Sequence, residues 1–213
     1  MSSAQDEGAG RAGGRTRAAV LVSGSGRTLE GLLEHAAAGT LPLEVALVVG
    51  SRPDAFGLER ARRRGVPARV VARRGAASTA AFTAEVFGAC REARVELVLL
   101  AGWLALLRPI PADFRGRVLN IHPALLPAFG GKGFYGDRVH AAVLASGARE
   151  SGCTVHLVDD EYDHGPVLLQ RTVPVLVGDD VPTLAARVFE AEREAYPAAI
   201  RAWCADRAAR APG

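Results

Sequence analysis

An amide and an imidazole stand two residues apart at the end of an apolar run, in the segment 118–123, VLNIHP. Residues i and i+2 of an extended segment point to the same side, so Asn120 and His122 can face one small volume. The amide can donate a hydrogen bond to a developing oxyanion, and the imidazole can carry a proton. Pro123 lacks a backbone N–H and helps to end the strand. The pair predicts a site where charge develops on an oxygen while a proton moves.

A second polar cluster, DDEYDHGP at 159–166, can supply the carboxylate that such a pair needs. Other histidines compete for a role. His156 lies along a predicted strand and is a candidate secondary residue of the site, whereas His164 is interpreted as a loop residue. His35 and His140 occupy positions predicted to lie on helix surfaces.

A glycine turn, GSGRT at 24–28, follows a short apolar run and precedes a helical pattern. Backbone N–H groups and a helix N-terminus face an anion in such a turn. A dinucleotide fingerprint would need a third glycine where this chain has Leu29, and an acid after the second strand, which ends in VGS. The pattern therefore favours a single phosphate over a dinucleotide. A plain tight turn is the alternative.

The elements that would position these groups alternate between strand and helix. Strands are predicted at 18–23, 43–49, 68–71, 96–101 and 117–121, with helices at 29–38, 55–64 and 79–94 between them. This alternation is typical of an α/β fold with a parallel sheet covered on both faces. A long loop at 123–136 follows, and loops of this length are usually functional. A helix at 137–146, paired strands at 154–158 and 167–177, and a helix at 182–201 complete the prediction.

Length and composition support one domain of 213 residues, of which 49% are hydrophobic and 23% charged. The domain is predicted at 18–202, after a disordered leader at 1–17 and before a frayed tail at 203–213. No run of about 18 apolar residues predicts a membrane span. The net charge of +3 does not indicate a nucleic-acid partner. Three widely spaced cysteines show neither disulfide nor metal spacing, so a reduced, cytoplasmic protein without a metal is expected.

Six segments, taken in order, resemble the phosphoribosylglycinamide formyltransferase family, the folate-dependent enzymes of purine synthesis. They are SGSG at 23–26, DAFGLERA at 54–61, LAGW at 100–103, NIHP at 120–123, GKGFYG at 131–136 and DHGP at 163–166. The resemblance covers roughly residues 18–202. It implies a single Rossmann-like formyltransferase domain, mostly parallel, with helices on both faces of the sheet and an antiparallel C-terminal part.

The resemblance also implies an activity. The enzyme would transfer the formyl group of 10-formyltetrahydrofolate, its cosubstrate, to the amine of 5'-phosphoribosylglycinamide, a step of de novo purine (IMP) biosynthesis. Asn120 matches the amide that holds the formyl oxygen, and His122 matches the acid/base. Asp163 matches the carboxylate that raises the pKa of this histidine.

Substrate-binding residues follow from the same match. Gly26, Arg27 and Thr28 would hold the phosphate of the ribonucleotide, and Glu192 its polar end. The folate would lie against Leu104, Ala105, Leu106 and Leu107, with contacts from Asn120 and Thr79. Ala105 and Thr79 replace longer polar residues of some relatives.

Two other functions remain open at this point. The same side chains could direct water at the formyl group, which would make the protein a 10-formyltetrahydrofolate hydrolase. The chain could also be a nucleotide-binding module without turnover. The sequence has no basic region with interleaved aromatic residues, so an RNA partner is not expected. Both a monomer and a homodimer fit the sequence.

Overall fold

A computed structural model of the protein describes residues 14–210. Within this range the strands are β1 (Thr16–Val22), β2 (Leu43–Gly50), β3 (Ala68–Val70), β4 (Leu97–Leu100), β5 (Val118–His122), β6 (Glu150–Leu157) and β7 (Val167–Pro174). The helices are α1 (Arg27–Ala37), α2 (Phe56–Arg63), α3 (Thr79–Glu92), α4 (Asp137–Ala145) and α5 (Val181–Arg210), and a 3-10 turn spans Ala112–Phe114.

The seven strands form one sheet in the order β3-β2-β1-β4-β5-β6-β7. Strands β1 to β5 pair in parallel, whereas β6 pairs antiparallel with β5 and with β7. The chain leaves β1 toward β2 on one side, and later continues from β4 toward β5 on the other. Ligands of open α/β sheets bind at such a switch point, beyond the carboxyl ends of the strands. The predicted α/β class, with its antiparallel C-terminal part, is confirmed.

Helices cover both faces of the sheet because its central strands are apolar on both sides. All seven positions of β1 except the first two are buried. One face packs against α1, α2, α4 and α5, through residues such as Leu32, Leu58 and Val188. The other face packs against α3 and the 3-10 turn, through residues such as Phe87 and Phe114.

Helix α5 is anchored to the sheet by one buried side chain. The Tyr196 hydroxyl lies 3.0 Å from two backbone carbonyl oxygens. One belongs to Leu100, the last residue of β4, and the other to Leu119 in β5. This phenol is fully buried, and burial raises its pKa well above the usual value. The contact fixes the face of α5 that looks onto the carboxyl ends of the strands.

Three predicted boundaries are wrong by more than two residues. Strand β6 begins at Glu150 rather than 154. Gly152 interrupts the apolar pattern of the sequence there, but it belongs to the strand, since a Cβ at this position would lie 1.9 Å from the Arg171 carbonyl oxygen and only glycine fits. Strand β7 ends at Pro174 rather than 177. Helix α5 continues to Arg210, so residues 203–210 are helical where a frayed tail was predicted, with Cys204 buried in the core.

The leader was predicted at residues 1–17, but residues 16 and 17 belong to β1, which begins at Thr16. The remainder of that prediction, residues 1–13, and the end of the tail, 211–213, lie outside the described residues. Across residues 14–210, no helix has the length and apolar character needed to cross a membrane.

Candidate active site

A cleft of ≈ 530 Å³ opens beyond the carboxyl ends of β1, β4 and β5. Its walls are the glycine turn after β1, the loop after β4, the end of β5, the loop before α4 and one side of α5. The lining includes the predicted residues Gly26, Arg27, Thr28, Leu104, Asn120, His122, Asp163 and Glu192. The cleft thus brings together groups from both ends of the chain.

The pairing of β5 with β6 sets the polar floor of the cleft. Asn120 pairs with His156, and His122 pairs with Thr154. Because directly paired residues share a face of a sheet, these four side chains lie on one side. His156 is therefore near the site, as predicted. His164 is elsewhere: it is exposed and its Nδ1 lies 2.8 Å from the Asp159 carboxylate.

Asp163 stands at the centre of these groups. Its Oδ2 accepts a hydrogen bond from the Gly131 backbone N–H at 2.9 Å and lies 3.5 Å from His122 Nδ1. Its Oδ1 lies 3.3 Å from Asn120 Nδ2 and 3.6 Å from His156 Nε2. Burial raises the pKa of this carboxyl, but the Gly131 N–H and the two histidines, when they carry a proton on the nitrogen that faces Asp163, lower it below its usual value. The structure brings the three predicted catalytic side chains within mutual reach.

Both amide hydrogens of Asn120 are already engaged in this state. His156 Nδ1 lies 2.8 Å from the Leu157 carbonyl, which only accepts, so its proton is on Nδ1 and its Nε2 is an acceptor. Asn120 Nδ2 donates to that Nε2 at 3.1 Å, and its second hydrogen faces Asp163 at 3.3 Å. The longer contact is the weaker one. It is the hydrogen that a substrate oxygen can take over.

His122 departs from the prediction in its pKa. Its side chain is only 5% exposed. Burial lowers its pKa below 6.5, and the charge of Asp163 opposes this shift without reversing it. Nε2 lies 2.8 Å from the Phe129 carbonyl, so the neutral ring keeps its proton there. The predicted rise in pKa is therefore wrong, because desolvation outweighs the carboxylate. The unprotonated Nδ1 faces Asp163, so a proton taken up there lands beside a carboxylate.

The loop between β5 and α4 is held over these residues by one buried hydroxyl. Thr154 Oγ1 donates to the Ala124 carbonyl at 2.7 Å and accepts from the Leu126 N–H at 3.0 Å. Gln170 Nε2 also donates to this hydroxyl and to the Leu126 carbonyl, both at 2.9 Å. These bonds place Phe129 and Gly131 where they contact His122 and Asp163.

The glycine turn after β1 is compact because two backbone segments meet there. Gly26 has φ 71°, and a Cβ at this position would lie 2.6 Å from Gly57 Cα. The Gly57 N–H donates to the Gly24 carbonyl at 3.1 Å. Gly26 is the N-cap of α1, so Thr28 is inside the helix and does not cap it. The turn leaves the N-terminus of α1 facing the cleft.

Glu192 is not an ordinary surface glutamate. Burial raises its pKa to about 8, and Arg27 alone acts against that shift. Its carboxyl group is therefore protonated at neutral pH and can both donate and accept hydrogen bonds. Glu192 and Arg27 line the cleft and also a smaller cavity of ≈ 250 Å³ between α1 and α5, which we call the side cavity.

The predicted folate residues separate into two groups. Leu104, 49% exposed, and Asn120 line the cleft. Ala105, Leu106, Leu107 and Thr79 do not. Leu107 is 2% exposed and packs in the core on the α3 side, while Thr79 begins α3 and its hydroxyl accepts from Arg73. The cleft geometry does not support side-chain contacts from these four residues.

Two residues of the site were missed or misplaced. His140 is buried rather than on a helix surface, and its Nδ1 has no hydrogen-bond partner among residues 14–210. Val139, Val143 and Leu144 surround it on α4, and this apolar stripe is the sequence signal of its burial. Phe189 lines both cavities, but nothing in the local pattern distinguishes it from a core aromatic.

Among the described residues, no cluster of His, Cys, Asp and Glu could hold a metal ion.

Comparison with known proteins connects this site to an enzyme family. A sequence model of the formyl transferase family matches residues 16–200 of this chain. A chloroplastic phosphoribosylglycinamide formyltransferase of Vigna unguiculata is 41% identical over 197 residues, which are 91% of this chain and 62% of the relative. A trifunctional purine biosynthetic protein adenosine-3 of Gallus gallus is 41% identical over 88% of this chain and 18% of its own length. The chain thus spans less than two thirds of these relatives.

A solved structure agrees in fold. The crystal structure of glycinamide ribonucleotide transformylase 1 from Symbiobacterium toebii superposes with a TM-score of 0.83 and 41% sequence identity. The alignment covers 93% of this chain and 92% of that one. The similarity therefore extends over the sheet, its helices and the elements that build the cleft.

Proposed function

This chain belongs to the formyl transferase family, and from this membership we propose that it transfers a formyl group from 10-formyltetrahydrofolate to the amine of 5'-phosphoribosylglycinamide. This reaction is a step of de novo purine synthesis. The observation that carries the proposal is the convergence of Asn120, His122 and Asp163 on the floor of one cleft. The names of the relatives support the choice of substrates.

The amine attacks the formyl carbon, and the carbonyl oxygen becomes an oxyanion in a tetrahedral intermediate. Asn120 stabilises this oxyanion with the hydrogen that faces Asp163 in the free protein. A donor of this kind typically contributes about 3–4 kcal/mol to the transition state. No covalent enzyme intermediate is needed, because the amine is itself a nucleophile.

The proton of the attacking amine goes to His122. This ring is neutral near pH 7 because burial lowers its pKa, and its free Nδ1 lies beside Asp163. The imidazolium that forms is stabilised by the carboxylate. The intermediate then collapses: the bond from carbon to the folate nitrogen breaks, and that nitrogen leaves with a proton as tetrahydrofolate. General acid–base help of this kind is worth about 10²- to 10⁴-fold in rate.

The ribonucleotide binds along the α1 and α5 side of the cleft. Its phosphate sits at Gly26, Arg27 and Thr28, where backbone N–H groups and a helix N-terminus favour an anion. The protonated carboxyl of Glu192 bonds to its polar groups as donor and acceptor. The folate enters beside Leu104. The cytoplasmic location and the choice between monomer and homodimer stay predictions, as do the absence of a metal and of a nucleic-acid partner.

Formyl transfer followed by folate absorbance tests the proposal, with glycinamide ribonucleotide present or absent. We expect tetrahydrofolate to appear only when the ribonucleotide is added, together with formylglycinamide ribonucleotide. Release of formate at full rate without the acceptor would make the protein a hydrolase. Binding of both substrates without turnover would make it a non-catalytic module.

A further inference from the structure

Arg27 and Phe189 form a cation–π pair and line both the cleft and the side cavity. The Arg27 guanidinium carbon lies 4.5 Å from the centroid of the Phe189 ring. A guanidinium over an aromatic face is attracted by the ring quadrupole. This attraction restrains the position of the guanidinium beside the space open to a ligand.

Arg27 differs from the arginines around it in its charge partners. Arg60 and Arg64 both contact Glu30, and Arg193 lies 3.5 Å from Glu190. Across residues 14–210, no carboxylate lies within ion-pair distance of Arg27. Glu192 faces it, but this carboxyl is protonated at neutral pH. The positive charge of Arg27 is therefore available to a ligand.

The ring under Arg27 is itself fixed in place. Phe189, Glu192 and Tyr196 are spaced i, i+3 and i+7, so they lie on one face of α5. Tyr196 ties this face to β4 and β5 through its two hydrogen bonds. Phe189 brings no hydrogen-bonding group that would compete for the guanidinium. The platform is rigid and leaves the donors of Arg27 free.

We propose that Phe189 positions Arg27 as a clamp for a phosphate monoester, so that the ribonucleotide is selected by its phosphate through a side-chain contact in addition to the glycine turn. The inference rests on the proposed function for the identity of the ligand. Phe189 acts through Arg27 and does not touch the reacting atoms. Arg27 supplies a planar set of donors that matches phosphate oxygens.

Calorimetric binding of two ligands tests the clamp: glycinamide ribonucleotide and the same compound without its phosphate. Arg27→Ala should weaken ribonucleotide binding about 10- to 100-fold, the scale of a hydrogen bond to a charged group. Phe189→Leu should weaken it about 3- to 10-fold, the scale of a cation–π contact. Neither change should alter binding of the dephosphorylated compound by more than about twofold. Phe189→Tyr, which keeps the aromatic face, should restore the ribonucleotide affinity.

Phe56→Leu is the matched control. Phe56 also lies under arginines, with Arg60 at 5.1 Å and Arg63 at 5.7 Å, but it lines neither cavity. Its substitution should leave both affinities unchanged. In the Arg27→Ala background, Phe189→Leu should cause no further loss, because the residue it positions is gone.

The outcomes separate the two proposals. If the wild-type protein binds neither compound, the proposed substrate is wrong and the clamp falls with it. If it binds the ribonucleotide but Phe189→Leu keeps full affinity, or weakens both ligands equally, only the clamp is overturned. Thermal unfolding of each variant shows that the comparison is made between folded proteins.

Discussion

Asp163 is the residue on which the polar arrangement of the cleft depends most. Its two oxygens contact the Asn120 amide, two histidines and the Gly131 N–H. It also has φ 51°, a left-handed conformation that aspartate and asparagine tolerate better than most residues. An Asp-to-Asn change at this position therefore removes charge without adding backbone strain.

Asp163→Asn should lower kcat about 10²- to 10⁴-fold, because the proton taken up by His122 loses its stabilising carboxylate. Steady-state formyl transfer measures this effect, and circular dichroism checks that the fold is retained. Asp206→Asn, the same change at an exposed position of α5, should leave kcat near the wild-type value. Near-normal turnover in Asp163→Asn would show that the carboxylate has no part in proton transfer.

The pKa of His122 predicts where activity is lost with pH. Burial lowers this pKa below 6.5, so the free enzyme carries the neutral base throughout the neutral range. The rate constant kcat/KM should fall as the pH drops through this lowered pKa, so the midpoint of its acid limb should lie below pH 6.5. A pH profile of kcat/KM measures this limb. An acid limb centred above pH 6.5 would contradict the balance in which desolvation outweighs Asp163.

Among the elements, the turn after β1 makes a close backbone approach beside the site. Gly26→Ala should destabilise the fold by about 2–5 kcal/mol, because alanine resists φ 71° and its Cβ would meet Gly57 Cα at 2.6 Å. Denaturant unfolding measures the loss. Gly39→Ala, at a similar φ of 70° but with no atom near its Cβ, isolates the conformational part and should cost about 1–2 kcal/mol. Equal losses in the two variants would rule out the clash.

Strand β6 supports the loop above His122 through Thr154. Thr154→Val should cost about 1–3 kcal/mol, since it leaves the Leu126 N–H and the Gln170 amide without their acceptor in a buried site. Activity should fall together with loop order, which hydrogen exchange at 124–131 reports. Thr172→Val, on the exposed side of β7, is the control and should change neither property. Normal exchange in Thr154→Val would show that the loop is held elsewhere.

Most elements follow from local pattern, and the errors have local causes. Apolar runs and glycine turns are sufficient to predict β1 to β5 and α1 to α4 to within a few residues. The first half of β6 contains Ser151 and Gly152, which do not resemble a strand. The last turns of α5 are rich in alanine and arginine and show no apolar stripe. Their order depends on contacts such as Trp203 Nε1 with the Gly116 carbonyl at 2.9 Å.

At the scale of the whole molecule, the site shows what local pattern cannot supply. The period of a strand is sufficient to predict that Asn120 and His122 share a face. The cluster 159–166 is recognisable as a source of a carboxylate, but only the resemblance singles out Asp163 within it and Glu192 on the last helix, because no period relates either residue to β5. The direction of the His122 pKa and the engaged state of the Asn120 amide depend on burial by the loop and on β6, which only the assembled fold determines.

Glu192 predicts how the stability of the whole protein changes with pH. Its pKa is raised from 4.5 to about 8 in the folded state. The folded protein therefore binds more protons than the unfolded chain between these values, and the contribution of Glu192 to stability, full below pH 4.5, is lost as the pH rises through 8.

Glu192→Gln removes this dependence. Relative to the wild type, the variant should gain about 2 kcal/mol in unfolding free energy between pH 5.5 and pH 9, on the basis that one pKa unit corresponds to about 1.4 kcal/mol and only part of the shift is realised. Denaturant melts at the two pH values measure the difference. Glu190→Gln, next to it on the exposed side of α5, should show no such gain. A constant difference between wild type and Glu192→Gln would place the titration in another group.

The ladder between β5 and β6 has a consequence for how this protein can vary over time. Asn120 faces His156 and His122 faces Thr154 only in the observed alignment. A one-residue shift in the register of β5 would turn the Asn120 amide and the His122 imidazole to the opposite face of the sheet, and would turn Leu119 and Ile121 toward the cleft. A single-residue insertion that caused this shift would both abolish catalysis and destabilise the hydrophobic core. Lineages should therefore tolerate length changes in the surface turns, while these two strands keep a constant number of residues.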